Sequence, residues 1–488
     1  MKRARHYSLA LLSIVALISI SCGGGNNKNA SPTTTAATDT SLSGSTTAIP
    51  ATTAPKVDPK LCPVKALDSA KAPVAIDFWH SMSVANEDAL KNLTDKYNAS
   101  QSKVKVTLKY QGTYDESLQK YVAGVRGGEL PQVMQTEETA MQTMIDSKSI
   151  VPIGACVAAD NYDLSDYAPA LVGQYSAGGV LQTMPFQLSN PVLYYNKKAF
   201  RAAGLDPEKP PTTLNEIIDA SRKIVATGKA KGATDKGFAL EIQAWYPEQF
   251  ISKAGEAIVN NDNGRTARAT AAKLDSPTFT DTLQWIATMN KEGLMLNVGR
   301  NPSGQNHFLA VANGDVAMTF GTSAALGTIY QFISQFPNVE IGVAPLPGPT
   351  GVGVTVGGGS LYMTTKTSDE QKAAVWDFMK FLNTPENQVF WHVNTGYIPT
   401  RLSASKSADV QKLWSDRPGF KVAYDQLAVS KAPVGGGGPL IGDYVGFRAA
   451  LEASLESVVA DGDVAKAQSK AQTDATKAIT DYNKRIGA

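Results

Sequence analysis

Side chains of the kinds that usually carry chemistry are sparse and scattered in this 488-residue chain. Its four histidines, His6, His80, His307 and His392, stand far apart and lack metal-ligand spacing. No G-x-S-x-G elbow is present to hold a nucleophilic serine. Gly357-Gly358-Gly359-Ser360 is not a phosphate loop, because no G-K-[ST] follows in register. Any two acids could converge for glycoside cleavage, but nothing singles out a pair. The three cysteines, Cys22, Cys62 and Cys156, concern compartment and architecture more than catalysis.

Compartment is read from the start of the chain. Lys2, Arg3 and Arg5 precede an apolar run, Leu9 to Ile20, which breaks at Ser21-Cys22-Gly23. A basic start, a short apolar core and a small residue at the break mark a secretory signal over residues 1–21. The run is shorter than the ~20 apolar residues that a membrane span needs. A cysteine at the break implies a lipoprotein with lipid on Cys22, held at the outer face of the cytoplasmic membrane; simple cleavage with release is the alternative. Residues 22–61, rich in Ser, Thr, Ala and Pro, cannot bury enough apolar surface to fold and read as a tether. Outside the cytoplasm a Cys62–Cys156 disulfide would be stable and would staple the start of the folded part; two buried free thiols are the alternative.

The rest of the chain has to supply the elements that position any site. It is long enough for two lobes with cores of their own. A net charge of +2 and the lack of a basic stripe leave no field for nucleic acid. Val74–Trp79 reads as a buried strand, followed by a helix with Leu90, Leu93 and Tyr97 on one face. Val104, Val106, Leu108 and Tyr110 alternate with polar residues, which predicts a strand with one wet face. Further on come a helix over 113–125, a strand over 132–135, a helix over 139–147 and a strand over Ile150–Ile153. Strand, helix, strand in this order implies a parallel α/β sheet. Capping boxes at Thr213–Glu216 and Ser368–Gln371 open two more helices. After the glycine run 435–438, two helices over about 445–459 and 464–485 end the chain.

Several segments resemble one family in the same order. Phe78-Trp79-His80-Ser81-Met82, Tyr110-Gln111-Gly112-Thr113-Tyr114, Pro185 to Thr213, Asn313 to Thr319, Gly357 to Leu361 and Trp391 to Pro399 are similar to the extracellular solute-binding proteins of bacterial ABC importers. The T-G-Y-[IL]-P and P-F-x-x-S pieces resemble the glycerol-3-phosphate and glycerophosphodiester branch, in its actinobacterial lipoprotein form. The resemblance implies two α/β lobes of the type II periplasmic-binding-protein fold, closing about a hinge. The lobes are expected as 62–187 plus 319–358 and 188–318 plus 359–488. Crossings are expected at Pro185–Asn196, Ala317–Ser323 and Gly357–Tyr362.

The resemblance also implies ligand positions. Tyr114 and Glu138 match residues that meet the glycerol end, with Glu137 as the rival acid. Ser189, Thr322, Gly358, Tyr397 and Arg448 match the phosphate side, a coherent set of donors that includes a planar guanidinium fork. Leu214 stands where the enterobacterial form has a tryptophan against the glycerol, which leaves room for a diester such as glycerophosphocholine. A choline head group would want an aromatic face or a carboxylate, for which Trp245 and Asp115 are candidates. The expectation is a monomeric, non-enzymatic receptor without cofactor or metal, serving a permease with a cytoplasmic ATPase. An oligosaccharide receptor of the same fold is the alternative, and a secreted phosphodiesterase the remote one.

Overall fold

The computed structural model describes residues 57–300, 304–337, 339–431 and 437–488. The secretory signal, Cys22, most of the tether and the first part of the glycine run lie outside the described residues.

Two sheets organise the chain. In the first, the order is Val104–Tyr110, Val74–His80, Val133–Glu137, Gly357–Thr364, Ile150–Val151, and Met184–Ser189 also pairs with Gly357–Thr364. Its first three strands are parallel and joined through the helices Val84–Ser100 and Tyr114–Gly127, as strand-helix-strand order requires. In the second sheet the order is Met295–Gly299, Lys236–Glu241, Val316–Thr322, Pro191–Asn196, Ile341–Pro345. Each sheet has its own buried core. Phe78, Phe378 and Trp391 belong to the first, and Phe238, Phe320 and Leu451 to the second. This is a two-lobe α/β fold.

Local sequence signals explain most elements. The capping boxes at Thr213 and Ser368 form as expected, and a third, Thr113 with Glu116, opens the helix Tyr114–Gly127. The closing helices run Tyr444–Asp461 and Val464–Ile486 and pack against the second lobe. Two local expectations are corrected. Tyr110 is 53% exposed although its alternation placed it on the buried face, because the strand ends there and its ring lies beside His80 instead. The Ile150–Ile153 strand stops at Val151, since Pro152 caps a helix, Ile153–Asp160. Cys156 therefore sits on that helix, buried and disulfide-bonded to Cys62.

The chain crosses between lobes at the single residue Asn190, between the strands ending at Ser189 and beginning at Pro191. Asn190 is pinned: its amide donates to the Ala423 carbonyl at 2.9 Å, its side-chain oxygen accepts from Gln426 at 3.0 Å, and its own carbonyl accepts from Ser323 N–H at 3.1 Å. The second crossing lies beside it, where Thr322 ends its strand opposite Pro191. Sheet membership differs from the lobe limits expected above. Val316–Thr322 and Ile341–Pro345 lie in the second sheet, and all of Gly357–Thr364 lies in the first. The helices between 369 and 428 then pack on the first core, through Phe378, Trp391, Trp414 and Phe420. An apolar strand can join either sheet, and only long-range pairing decides which.

Away from the hinge, a second set of contacts ties the lobes together. Arg268 of the second lobe donates through both terminal nitrogens to Asp146 of the first, at 3.0 and 2.7 Å, and Tyr482 Oη donates to the same carboxylate at 3.0 Å. Arg265 is mostly buried and donates only to carbonyls: Ser176 at 2.6 Å and Gln174 at 3.1 Å in the first lobe, and Gly438 at 2.8 Å. Thr143 Oγ1 donates to the Gly442 carbonyl.

Two outcomes are expected. Replacing both Cys62 and Cys156 by serine removes a cross-link spanning 94 residues and should cost about 2–4 kcal/mol, read as a lower denaturation midpoint in non-reducing buffer. An unchanged midpoint would show that the bridge is not made in solution. Arg268→Ala removes charge-assisted bonds of about 1.5–3 kcal/mol, enough to shift the balance of closed and open lobes at least about tenfold. Small-angle scattering of the ligand-free variant should give a larger radius of gyration than wild type; equal radii would deny the latch its role.

Candidate functional site

The cleft between the lobes gathers most of the polar side chains that the sequence singled out. From the first lobe come Tyr114, at the first turn of its capped helix, and Glu137 and Glu138, at the end of the strand Val133–Glu137. Gly357–Gly359 opens its strand beside them, and Tyr397 follows the helix Pro385–Thr395, which Gly396 ends in the left-handed conformation. From the second lobe come Glu248 on the helix Trp245–Lys253, and Tyr444 and Arg448 on the helix Tyr444–Asp461.

Arg448 is the hub. Its Nε and Nη2 donate to the two oxygens of Glu248 at 3.0 and 2.9 Å, within its own lobe. Its Nη1 reaches across to both oxygens of Glu137 at 3.3 and 3.2 Å, and Nη2 lies 4.0 Å from Glu138. The guanidinium also stands over the Tyr444 ring, 5.1 Å from its centre. Burial opposes the Arg448 charge, but Glu248 and Glu137 more than offset it and hold the guanidinium protonated.

Glu138 accepts from the Gly358 N–H at 2.9 Å. Burial, then the charge of Glu137, pushes its carboxyl up to about 8 against the pull of Arg448. Asp115, one residue along from Tyr114, is raised by burial and by Glu137, and Glu248 is raised by burial. Gly358 has φ +106° and lies so close to the neighbouring strand that a Cβ would stand 1.9 Å from the Gln187 carbonyl. Only glycine fits there, which leaves its N–H facing the cleft acids.

The phenol of Tyr114 accepts from Gln135 Nε2 at 3.0 Å, and that of Tyr397 donates to Met82 Sδ at 3.9 Å. Tyr397 is stacked on Trp391, and its backbone carbonyl is held by His392 Nδ1 at 2.7 Å. His392 Nε2 accepts from Trp414 Nε1 at 2.9 Å, so the ring is neutral, and burial lowers its pKa to about 4. The phenol of Tyr397 is thus fixed by a network behind it. Burial raises it to about 12, so it remains a donor.

Contacts bring together Tyr114, Glu138, Gly358, Tyr397 and Arg448, and Ser189 pairs with Gly357 one residue away. Trp245 rests against Gly357, where a Cβ would meet the indole at 2.7 Å. Thr322 stands at the hinge, and its hydroxyl accepts from Ala324 N–H at 3.2 Å, a capping role. Leu214 opens the helix Leu214–Thr227 half-buried against the second-lobe core. Glu248 and Tyr444 were missed by sequence reasoning, and Glu137 was only a rival to Glu138. Glu248 had no signal, since an acid between Pro247 and Gln249 reads as surface until its partner is known. Between Glu138, Trp245, Glu248 and Tyr444 the open space measures only about 20 Å³, room for roughly one water. Anything larger requires the lobes to part. Among the described residues no group of His, Cys, Asp and Glu is placed to hold a metal ion, and no helix is long and apolar enough to cross a membrane.

Comparison with known proteins places this architecture. Residues 92–418 match the model of the family described as bacterial extracellular solute-binding protein. The sn-glycerol-3-phosphate-binding periplasmic protein UgpB of Pectobacterium atrosepticum is 32% identical over 408 residues, 81% of this chain and 89% of the relative. UgpB of Salmonella typhimurium is 32% identical over 400 residues, 80% of this chain and 88% of that one. In fold, the chain is similar to UgpB of Mycobacterium tuberculosis, solved in complex with glycerophosphocholine. Their TM-score is 0.64 at 23% identity, over 86% of this chain and 98% of that one. It is equally similar to the cyclic alpha-maltosyl-1,6-maltose binding protein of Arthrobacter globiformis, with a TM-score of 0.67 at 23% identity over 84% and 100% of the chains. These relatives are named for the solutes they bind, and this chain belongs to the bacterial extracellular solute-binding protein family.

Proposed function

We propose that this protein is the receptor of an ABC importer that captures glycerophosphodiesters, glycerophosphocholine in particular, or glycerol-3-phosphate. The observation that carries the reading is the convergence, in one interlobe cleft, of Tyr114, Glu138, Gly358 and Tyr397 from one lobe with Arg448 from the other. An acid suits the vicinal hydroxyls of glycerol. A phenol, a backbone N–H on a residue without a side chain and a guanidinium suit phosphate oxygens. Ser189 and Thr322 complete the phosphate side in this reading, and Leu214 leaves space for the diester substituent. The relatives named for glycerol-3-phosphate and glycerophosphocholine support the same class.

Closing on a ligand held by both lobes would present one closed surface to the permease, whose partner ATPase supplies the energy. Lipid on Cys22 and the tether to about residue 61 would keep a monomeric receptor at the outer face of the membrane, raising its local concentration at the permease. Closure would be driven by ligand contacts from both lobes, since a ligand moves a conformational equilibrium only through its differential affinity.

A sugar-binding reading has one observation in its favour: Trp245 and Tyr444 both line the cleft and could stack on a pyranose. Calorimetry of residues 57–488 against glycerol-3-phosphate, glycerophosphocholine and maltose separates the two. Heat is expected from the phosphate ligands and not from maltose, and the opposite pattern would favour the sugar. Arg448→Ala should weaken glycerophosphocholine binding by about 10- to 100-fold, with circular dichroism unchanged. Wild-type affinity in that variant would refute the phosphate assignment.

A further inference from the structure

Two of the donors assigned above to phosphate, the Gly358 N–H and the Arg448 guanidinium, already have partners, and each of those partners is a carboxylate. Glu138 holds the Gly358 N–H, Glu137 holds Arg448 Nη1, and Glu248 holds Arg448 Nε and Nη2. Carboxylate oxygens stand where phosphate oxygens would have to bind.

The three acids are not equivalent. Glu248 shares a lobe with Arg448, meets two different nitrogens at 3.0 and 2.9 Å, and its side chain is 5% exposed. Glu137 meets a single nitrogen with both oxygens at 3.3 and 3.2 Å, is more open to solvent at 21%, and belongs to the other lobe. When the lobes part, Glu248 travels with Arg448 while Glu137 and Glu138 stay behind. The Nη1 edge and the cleft face of Gly358 are then the positions a ligand can take.

Resting on the phosphate reading above, we propose that Glu137 and Glu138 are internal competitors for the ligand's phosphate, and that capture displaces them with uptake of a proton from solvent onto Glu138. The reason is charge. Arg448 faces Asp115 from the helix Tyr114–Gly127, Glu137 and Glu138 from the end of their strand, and Glu248 from its own lobe: four carboxylates to one guanidinium. Glu452, further along the Arg448 helix, has its own cation in Arg300. The other titratable groups facing the cluster are phenols, Tyr114, Tyr175, Tyr362, Tyr397 and Tyr444, which stay neutral. A phosphate entering this surplus of negative charge takes Glu137's counterion and adds charge of its own. Both changes favour a neutral carboxyl, and Glu138, with its pKa already pushed up to about 8, is the nearest to accept the proton. Displaced from Gly358, Glu138 is free to meet the glycerol hydroxyls. Because binding takes up a proton, affinity must fall as pH rises through the range in which Glu138 would otherwise be ionised.

The test is calorimetry with glycerophosphocholine, whose phosphodiester does not itself titrate near neutrality. Binding is measured at pH 8 in two buffers of different ionisation enthalpy. The observed heat should change with the buffer in the direction of proton uptake by the protein. The dissociation constant should rise between pH 7 and 9, by at most about tenfold per pH unit for one proton. Glu137→Gln should bind several-fold more tightly at pH 8 and show a smaller buffer dependence. If Glu137 were merely structural, the variant would bind more weakly with the buffer dependence unchanged, and that result overturns the proposal. So does wild-type binding whose heat is the same in both buffers, a result independent of how any variant folds. If neither glycerophosphocholine nor glycerol-3-phosphate gives heat at any pH, the phosphate reading itself fails, and this inference with it.

Discussion

A guanidinium buried between two lobes is the constraint on which the rest of the cleft depends. Taking one charge out of water costs several kcal/mol unless it is paired and hydrogen-bonded. Arg448 meets that requirement with Glu248 from its own lobe and Glu137 from the other. The first partner makes the second lobe self-sufficient whether the cleft is open or shut. The second makes closure worth something electrostatically. A cation satisfied wholly within one lobe would not link the lobes, and one dependent wholly on the far lobe would be stranded on opening.

Movement of the lobes would turn on a short hinge, where Val192 and Tyr194 of the second sheet pack into the first core. Crossings at Asn190 and at Thr322–Ser323 lie side by side, joined by the Ser323 N–H to Asn190 carbonyl bond. Asn190 is held by Ala423 and Gln426 of the helix Gly419–Ala428, and Gln426 also donates to the Pro191 carbonyl and accepts from the Leu346 N–H, so this helix straddles the pivot. Arg265 and Arg268 bond other partners than Arg448 does, though Gln174 and Gly438, which Arg265 holds, line the same space as Glu248 and Tyr444. Closure draws on both sets of contacts, the Arg448 set being the one that a ligand would have to rearrange.

Local features were legible in the sequence. Capping boxes at Thr213 and Ser368, the alternation around Val104 and the apolar faces of the terminal helices depend on neighbours within a few residues. Expectations broke where a distant segment decided the outcome. Gly357–Thr364 joined the first sheet because it pairs with Val133–Glu137, and no local pattern distinguishes that from joining the second. Pro152 should have stopped the Ile150 strand on backbone grounds alone, and that signal was there to be read. Of the cleft residues, Tyr114, Glu138, Gly358, Tyr397 and Arg448 were legible in the sequence. Glu248, Arg265 and Arg268 were not, because each reads as an ordinary surface charge until its distant partner is known.

The same ambiguity explains why an acid-rich cleft is compatible with a phosphate ligand. Judged one residue at a time, Asp115, Glu137, Glu138 and Glu248 argue against an anion. In the fold they are arranged around the donors that an anion would need, Arg448 and the Gly358 N–H, and keep those buried donors satisfied. An unpaired guanidinium in so narrow a space would be costly to bury and would attract any small anion that reached it. Carboxylates of the protein's own prevent both. On the phosphate reading they would set a threshold that only a ligand with further contacts, at its hydroxyls and its diester substituent, could exceed. Discrimination would then rest on the whole ligand rather than on its charge.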